Sequence, residues 1–87
     1  MNKRVLVVED DPGLSRALGD NLRLEGYEVE CAMDGASALE LARTLSPDLI
    51  VLDLMLPDRD GFELCERWRQ HDIPVIILTA RGQREDK

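Results

Sequence analysis

The feature that most constrains the fold is a regular alternation of short apolar runs with longer stretches of helical period. The first apolar run, Arg4–Val8, precedes Pro12–Leu24, where leucine and alanine recur at helical spacing. Two further apolar runs, at residues 49–52 and Val75–Leu78, bracket another helical stretch. Strands that are apolar on both faces and alternate with helices are typical of a parallel sheet covered on both sides. The sequence therefore predicts an α/β fold, doubly wound around a parallel sheet.

The remaining elements fit the same plan. Residues 27–31 alternate apolar and acidic side chains, as expected of a half-covered edge strand. A helix is predicted to open at Asp34, and another is predicted over residues 62–71. Phe62 and Trp68 lie at helical spacing in the last of these, and both are predicted to face the core.

Length and charge narrow the class of protein. With 87 residues and no linker or internal repeat, the chain has room for one domain, residues 1–87. It has no membrane-length apolar stretch and no signal-peptide pattern, so we expect a cytoplasmic protein without a membrane partner. The net charge of -7 argues against nucleic-acid binding by this domain. Cys31 and Cys65 are far apart and have no metal-site spacing, so they are predicted to be small hydrophobic residues.

Acidic residues directly follow two of the predicted strands. Glu9, Asp10 and Asp11 follow the first strand, Asp53 follows the third, and Thr79 follows the fourth. The carboxyl ends of parallel strands meet at one edge of the sheet, so these side chains should converge. Two carboxylates about 5 Å apart repel by roughly 3 kcal/mol at an effective dielectric near 20, which favours a bound divalent cation such as Mg²⁺. A carboxylate beside Mg²⁺ can accept a phosphoryl group, and Asp53 is the candidate.

Four segments carry a resemblance to a known family: VLVVEDDP, AMDGASALELA, PDLIVLDLMLPDRDGFEL and IPVIILTARG. Together they resemble the receiver domain of two-component response regulators, most closely the regulators that join a receiver to a winged-helix DNA-binding domain. The resemblance implies a flavodoxin-like fold with strand order 2-1-3-4-5. Because the chain stops at Lys87, we expect strand 5 and helix 5 to be absent and the domain to be incomplete at its C-terminus.

The resemblance also implies roles for individual residues. The protein ligands of Mg²⁺ would be Glu9, Asp10, Asp53 and the backbone carbonyl of Met55. Asp53 would be the phosphoacceptor, Thr79 would hydrogen-bond the phosphoryl group, and Ala80 would keep the approach open by being small. The phosphoryl group would come from a phosphohistidine on a sensor histidine kinase or phosphotransfer protein. The domain would then switch an output, transcription in the regulators it most resembles, without being an enzyme in the usual sense.

Several residues have plainer interpretations. Asp11 before Pro12 is a common helix start, which favours a cap over a metal ligand. For Glu9 the alternative is a carboxylate that could reach a metal ion only through water. Residues 58–60 are predicted to form a solvated turn, which borders the site and could help to dock a partner, and His71 lies where a helix should end.

Two other functions remain open at this stage. An incomplete receiver could act only as an interaction module, forming a dimer or a strand-exchanged assembly through the exposed edge of strand 4. Mg²⁺-dependent phosphorylation distinguishes the phosphoacceptor from this module. A flavodoxin-like nucleotide or flavin binder is disfavoured because no glycine-rich loop follows the first strand.

Overall fold

The computed structural model describes residues 2–78, in which four strands and three helices alternate. The elements are β1 (Arg4–Val8), α1 (Pro12–Leu24), β2 (Glu28–Ala32), α2 (Gly35–Leu45), β3 (Leu49–Asp53), α3 (Gly61–Gln70) and β4 (Val75–Leu78). All strand pairs are parallel, and the order in the sheet is β2-β1-β3-β4. The α/β parallel sheet and the edge position of β2 are confirmed.

The two central strands divide the core into two layers. In β1, Leu6 and Val8 face the side covered by α2 and α3, whereas Val5 and Val7 face the side covered by α1. All four side chains are fully buried. Because successive residues of a strand point to opposite faces, a continuously apolar strand is stable only when both faces are covered. This burial fixes the register that brings the carboxyl ends of β1 and β3 side by side.

The helices begin at the acidic caps that the sequence indicates. The Asp11 carboxylate accepts hydrogen bonds from the backbone N–H groups of Gly13 and Leu14, so its role as a cap is confirmed. Asp34 caps α2 by accepting a hydrogen bond from the Ser37 N–H at 2.7 Å. Within the described residues, no helix has the length and apolar character that a membrane span requires.

The prediction that Phe62 faces the core is wrong. Its exposed fraction is 66 %, whereas that of Trp68 is 2 %. The buried stripe of α3 consists of Gly61, Leu64, Cys65 and Trp68, at the spacing that one helix face requires. Phe62 is six residues from Trp68, so the two side chains point about 120° apart around the helix.

Candidate functional site

Three carboxylates meet at the carboxyl edge of the sheet. Glu9 and Asp10 directly follow β1, and Asp53 is the last residue of β3. Since Val8 is paired with Leu52, the residues that follow them are neighbours across the two strands. Each of the three acids offers one oxygen, and these oxygens lie within 4.8 Å of one another. The predicted convergence is confirmed for Glu9, Asp10 and Asp53, whereas Asp11 is not in this group and caps α1.

Burial and hydrogen bonds hold two of these carboxylates in place. Glu9 and Asp53 have no exposed surface, and Asp10 is half-buried. Glu9 Oε2 accepts a hydrogen bond from the Asp11 N–H at 3.0 Å, and Asp53 Oδ1 accepts one from the Met55 N–H at 3.0 Å. The carboxylates therefore have defined orientations before any ligand binds.

The donor set fits Mg²⁺. This ion prefers a few carboxylate oxygens and keeps several waters, and oxygens bound directly at about 2.1 Å in an octahedron lie at most about 4.2 Å apart. The observed limit of 4.8 Å exceeds this by about 0.6 Å. A small side-chain movement, or one ligand that binds through water, closes the difference.

The electrostatics of the cluster favour a cation. At an effective dielectric near 20, each pair of ionised carboxylates at such distances repels by roughly 3 kcal/mol. Burial of Glu9 and Asp53 adds a desolvation cost for their charged forms. A divalent cation offsets both terms, so the acidic edge has the chemistry of a metal site.

Backbone contacts hold the two ends of the loop after Asp53 together. Met55 and Asp60 form an isolated antiparallel bridge across the loop. At Gly61 an added Cβ would lie 2.5 Å from Leu54 Cα and 2.7 Å from Leu54 O. Only glycine permits this approach of α3 to the residue that follows Asp53. The first turn of α3 thus rests directly on the backbone beside the candidate acceptor.

Asp58 ties this loop to α2, a contact that sequence analysis missed. Its carboxylate accepts hydrogen bonds from the Gly35 N–H at 2.7 Å and the Ala36 N–H at 3.1 Å. The pKa of the Asp58 carboxyl lies below its usual value, and the largest cause is the hydrogen bond from the Gly35 N–H. The side chain of Arg59 covers Gly35 so closely that no Cβ would fit there. The contact spans 23 residues, so no local pattern could have indicated it.

The predicted solvated turn is confirmed, since residues 58–60 are exposed and lie between β3 and α3, but two of the three also make specific contacts. Besides the contact of Asp58 with α2, Asp60 caps α3 by accepting a hydrogen bond from the Phe62 N–H at 3.0 Å. An aspartate followed by glycine just before a stretch of helical period is a recognisable cap signal, and it could have identified Asp60. The three residues 58–60 thus hold the acceptor loop against two helices.

The other predicted site residues have different outcomes. His71 directly follows α3 as its C-cap, as expected. The structure places the Met55 N–H on Asp53, while the role of the Met55 carbonyl as a metal ligand stays a prediction. Thr79 and Ala80 lie outside the described residues, so their assignments also stay predictions.

Comparison with known proteins identifies the family. Residues 5–87 match the response regulator receiver domain. The chain is 50 % identical over 88 residues to the DNA-binding dual master transcriptional regulator RpaA of Synechocystis sp., covering 97 % of this chain and 36 % of RpaA. It is 47 % identical over 89 residues to the alkaline phosphatase synthesis transcriptional regulatory protein PhoP of Bacillus subtilis, covering 100 % of this chain and 37 % of PhoP.

Solved structures agree with this assignment. The non-phosphorylated HemR receiver domain from Leptospira biflexa is similar with a TM-score of 0.81 and 41 % identity, over 87 % of this chain and 63 % of that one. The chain spans a little over a third of the length of the two curated relatives. From its sequence, its parallel sheet and its acidic edge, the chain belongs to the receiver domain family of two-component response regulators.

Proposed function

We propose that the chain is a phosphoacceptor receiver in which Asp53 takes a phosphoryl group from a phosphohistidine of a sensor kinase or phosphotransfer protein. The observation that carries the proposal is the meeting of Glu9, Asp10 and Asp53 at one edge of the sheet, with oxygens within 4.8 Å of one another. Mg²⁺ would be held by these three acids, with the Met55 carbonyl as a fourth protein ligand.

The residues of the proposed site have two roles, which are to orient the acceptor carboxylate and to bind the cation. An oxygen of Asp53 bonds to phosphorus as the phosphorus–nitrogen bond of the donor breaks, and the electron pair of that bond stays on the imidazole. The Met55 N–H at 3.0 Å fixes the plane of the Asp53 carboxylate for this attack. Glu9 and Asp10 place negative charge where a cation must sit. When bound, Mg²⁺ neutralises charge on the phosphoryl oxygens.

Thr79 and Ala80 complete the proposed site through the family resemblance. Thr79 would donate a hydrogen bond to the attached phosphoryl group, and Ala80 would leave room for the donor. Because the phosphoryl group ends on the protein itself and later leaves by hydrolysis, we describe the chain as a switch and not as an enzyme with a separate substrate.

The output proposed for the switch is transcription. RpaA and PhoP are both named as transcriptional regulators, and this chain matches a little over a third of each. Control of transcription would therefore belong to a DNA-binding domain outside these residues. The cytoplasm, where a kinase and DNA are both accessible, is the proposed location.

A second candidate function is an interaction module without phosphotransfer. In the described part of the sheet β4 lies at the edge, and Ile76 on this strand is 53 % exposed. An apolar edge strand with free backbone groups favours pairing with another chain. We therefore propose a dimer or a strand-exchanged assembly through β4, which light scattering would detect as a mass of two chains.

Intact mass separates the two functions. The chain is incubated with acetyl phosphate and Mg²⁺, beside the variants Asp53→Asn and Asp72→Asn. Asp72 is an exposed acid with φ 61°, a conformation that asparagine tolerates, so it is a matched control. We expect one added phosphate in the original chain and in Asp72→Asn, but none in Asp53→Asn. Equal mass addition in all three would contradict the acceptor assignment, and no addition at all would leave the interaction module as the better account.

A further inference from the structure

A groove on the face of the sheet that α2 and α3 cover has the features of a docking surface. It lies between α2 and α3 and has a volume of about 500 Å³. Its floor is apolar and consists of Leu39, Ala42, Trp68 and Ile73. Ala36 and Ala42 keep the α2 side of the groove low, because each offers only a methyl group where a larger side chain would fill the space.

The rim of the groove is basic, although the chain as a whole is acidic. Arg43, Arg59 and Arg67 line it beside the imidazole of His71, against the single acid Glu40. The chain has 18 acids and 11 bases, so a concentration of cations with one acid runs against its composition. Such a local reversal of sign is the electrostatic signature of a surface that binds an anion.

Intramolecular ion pairs use up only part of this positive charge. Glu40 pairs with Arg43, which accounts for the one acid that lines the groove. No carboxylate of residues 2–78 lies within ion-pair distance of Arg59 or Arg67, although the charge of Arg59 is one cause of the lowered pKa of Asp58. Glu63 and Glu66 do not line the groove; they border a second depression that shares Arg67 and His71 with it.

The spacing of the cations favours an elongated ligand. Arg59 lies against Gly35 at the start of α2, and Arg43 lies in the last turn of the same helix. The rise of an α-helix puts these two ends about 12 Å apart along the helix axis. Arg67 and His71 lie in the last turn of α3 and at its end. A single phosphate or carboxylate would contact one end only, whereas a short polypeptide with acids at both ends would contact both.

We propose that this groove binds an acidic segment of a partner protein, with carboxylates on the arginine rim and an apolar side chain on the floor between the helices. This partner surface is separate from the phosphoryl site and does not depend on phosphorylation of Asp53. It includes Arg59, so the bound segment would touch the loop that follows the acceptor.

The test uses a synthetic twelve-residue peptide with glutamates at both ends and leucine and phenylalanine in the middle. Binding is followed by fluorescence anisotropy of a label on the peptide and by NMR shifts of the backbone amides of the chain. We expect saturable binding at low salt, with the shifts concentrated in α2 and α3. Raising the salt to about 1 M, where the Debye length is about 3 Å, should remove most of it.

The matched variants are Arg67→Glu and Arg69→Glu. Both arginines are exposed in the last turn of α3, and both changes alter the net charge equally, but only Arg67 lines the groove. We expect Arg67→Glu to weaken binding about tenfold or more and Arg69→Glu by less than about threefold. Preserved dispersion of the amide signals identifies variants that remain folded.

Three results would overturn the proposal. Equal weakening by both variants would assign the effect to overall charge. Equal binding of the peptide with lysine in place of glutamate would exclude an acidic partner. Displacement by citrate at the same concentration as the peptide would make the groove a site for small anions.

Discussion

Gly61 offers a direct test of how the acceptor loop is packed. Replacing it by alanine would put a methyl carbon 2.5 Å from Leu54 Cα, roughly 0.9 Å short of the 3.4 Å at which ordinary contact begins. The atoms in the way are backbone, so α3 or the loop must move. Overpacking of this kind costs about 1–3 kcal/mol. A domain of this size has a total stability of roughly 4–13 kcal/mol, so the loss should be easy to measure.

Gly13→Ala is the matched control. Gly13 also lies in the first turn of a helix, but an added Cβ there meets only Asp11 Oδ1, at an ordinary 3.5 Å. Because alanine has a higher helix propensity than glycine, Gly13→Ala should leave the free energy of unfolding unchanged or raise it by up to about 1 kcal/mol. Urea unfolding can be followed by fluorescence, because Trp68 is the single tryptophan and is 2 % exposed. If Gly61→Ala unfolds at the same urea concentration as Gly13→Ala, the close packing of α3 on Leu54 is refuted.

Three further predictions follow from the caps and the metal site. Asp11→Ala should lower the free energy of unfolding by about 1 kcal/mol. Asp11→Asn can still cap α1 and should lower it much less, so equal losses of the two variants in urea unfolding would contradict the cap. The pKa of Asp58 in the folded chain lies below the ordinary aspartate value of 3.8, so its contribution to stability is present above pH 3.8 and is lost as the pH falls through the folded pKa. The difference in the free energy of unfolding between the original chain and Asp58→Asn should therefore be constant above about pH 5 and should shrink below pH 3.8. If this difference were the same above about pH 5 and below pH 3.8, the contact of Asp58 with α2 would be contradicted. Mg²⁺ at about 100 times its Kd should raise the free energy of unfolding by about 2.7 kcal/mol, and Asp10→Asn should reduce that gain. If the gain in thermal unfolding were the same in Asp10→Asn, Asp10 would not be a ligand of the ion.

The fold was largely accessible from the sequence because its strongest signals are local. The continuously apolar β1 can be stable only between two helical layers, and the strand lies where its pattern predicts, at Arg4–Val8. The acids after β1 and β3 follow from the same logic, since parallel strands end at one edge. Convergence of Glu9, Asp10 and Asp53 was therefore predictable without coordinates.

The loop after the acceptor was not accessible in the same way. The contact of Asp58 with the start of α2 joins residues that are distant in sequence, so neither periodicity nor turn chemistry contains it. Phe62 was misplaced because it is six residues from Trp68, and at about 100° per residue this separation puts the two side chains about 120° apart around the helix. The groove between α2 and α3 depends on how two helices sit relative to each other, which is a tertiary property.

The central claim is that Asp53 forms an acyl phosphate in a Mg²⁺-dependent reaction. Sodium borohydride reduces an acyl phosphate to an alcohol, so a phosphorylated aspartate is recovered as homoserine when the digested chain is sequenced by mass spectrometry. After incubation with acetyl phosphate and Mg²⁺, we predict homoserine at position 53, and none when EDTA replaces Mg²⁺. Homoserine at another aspartate, the corresponding alcohol at a glutamate, or an equal yield at position 53 with EDTA would contradict the account.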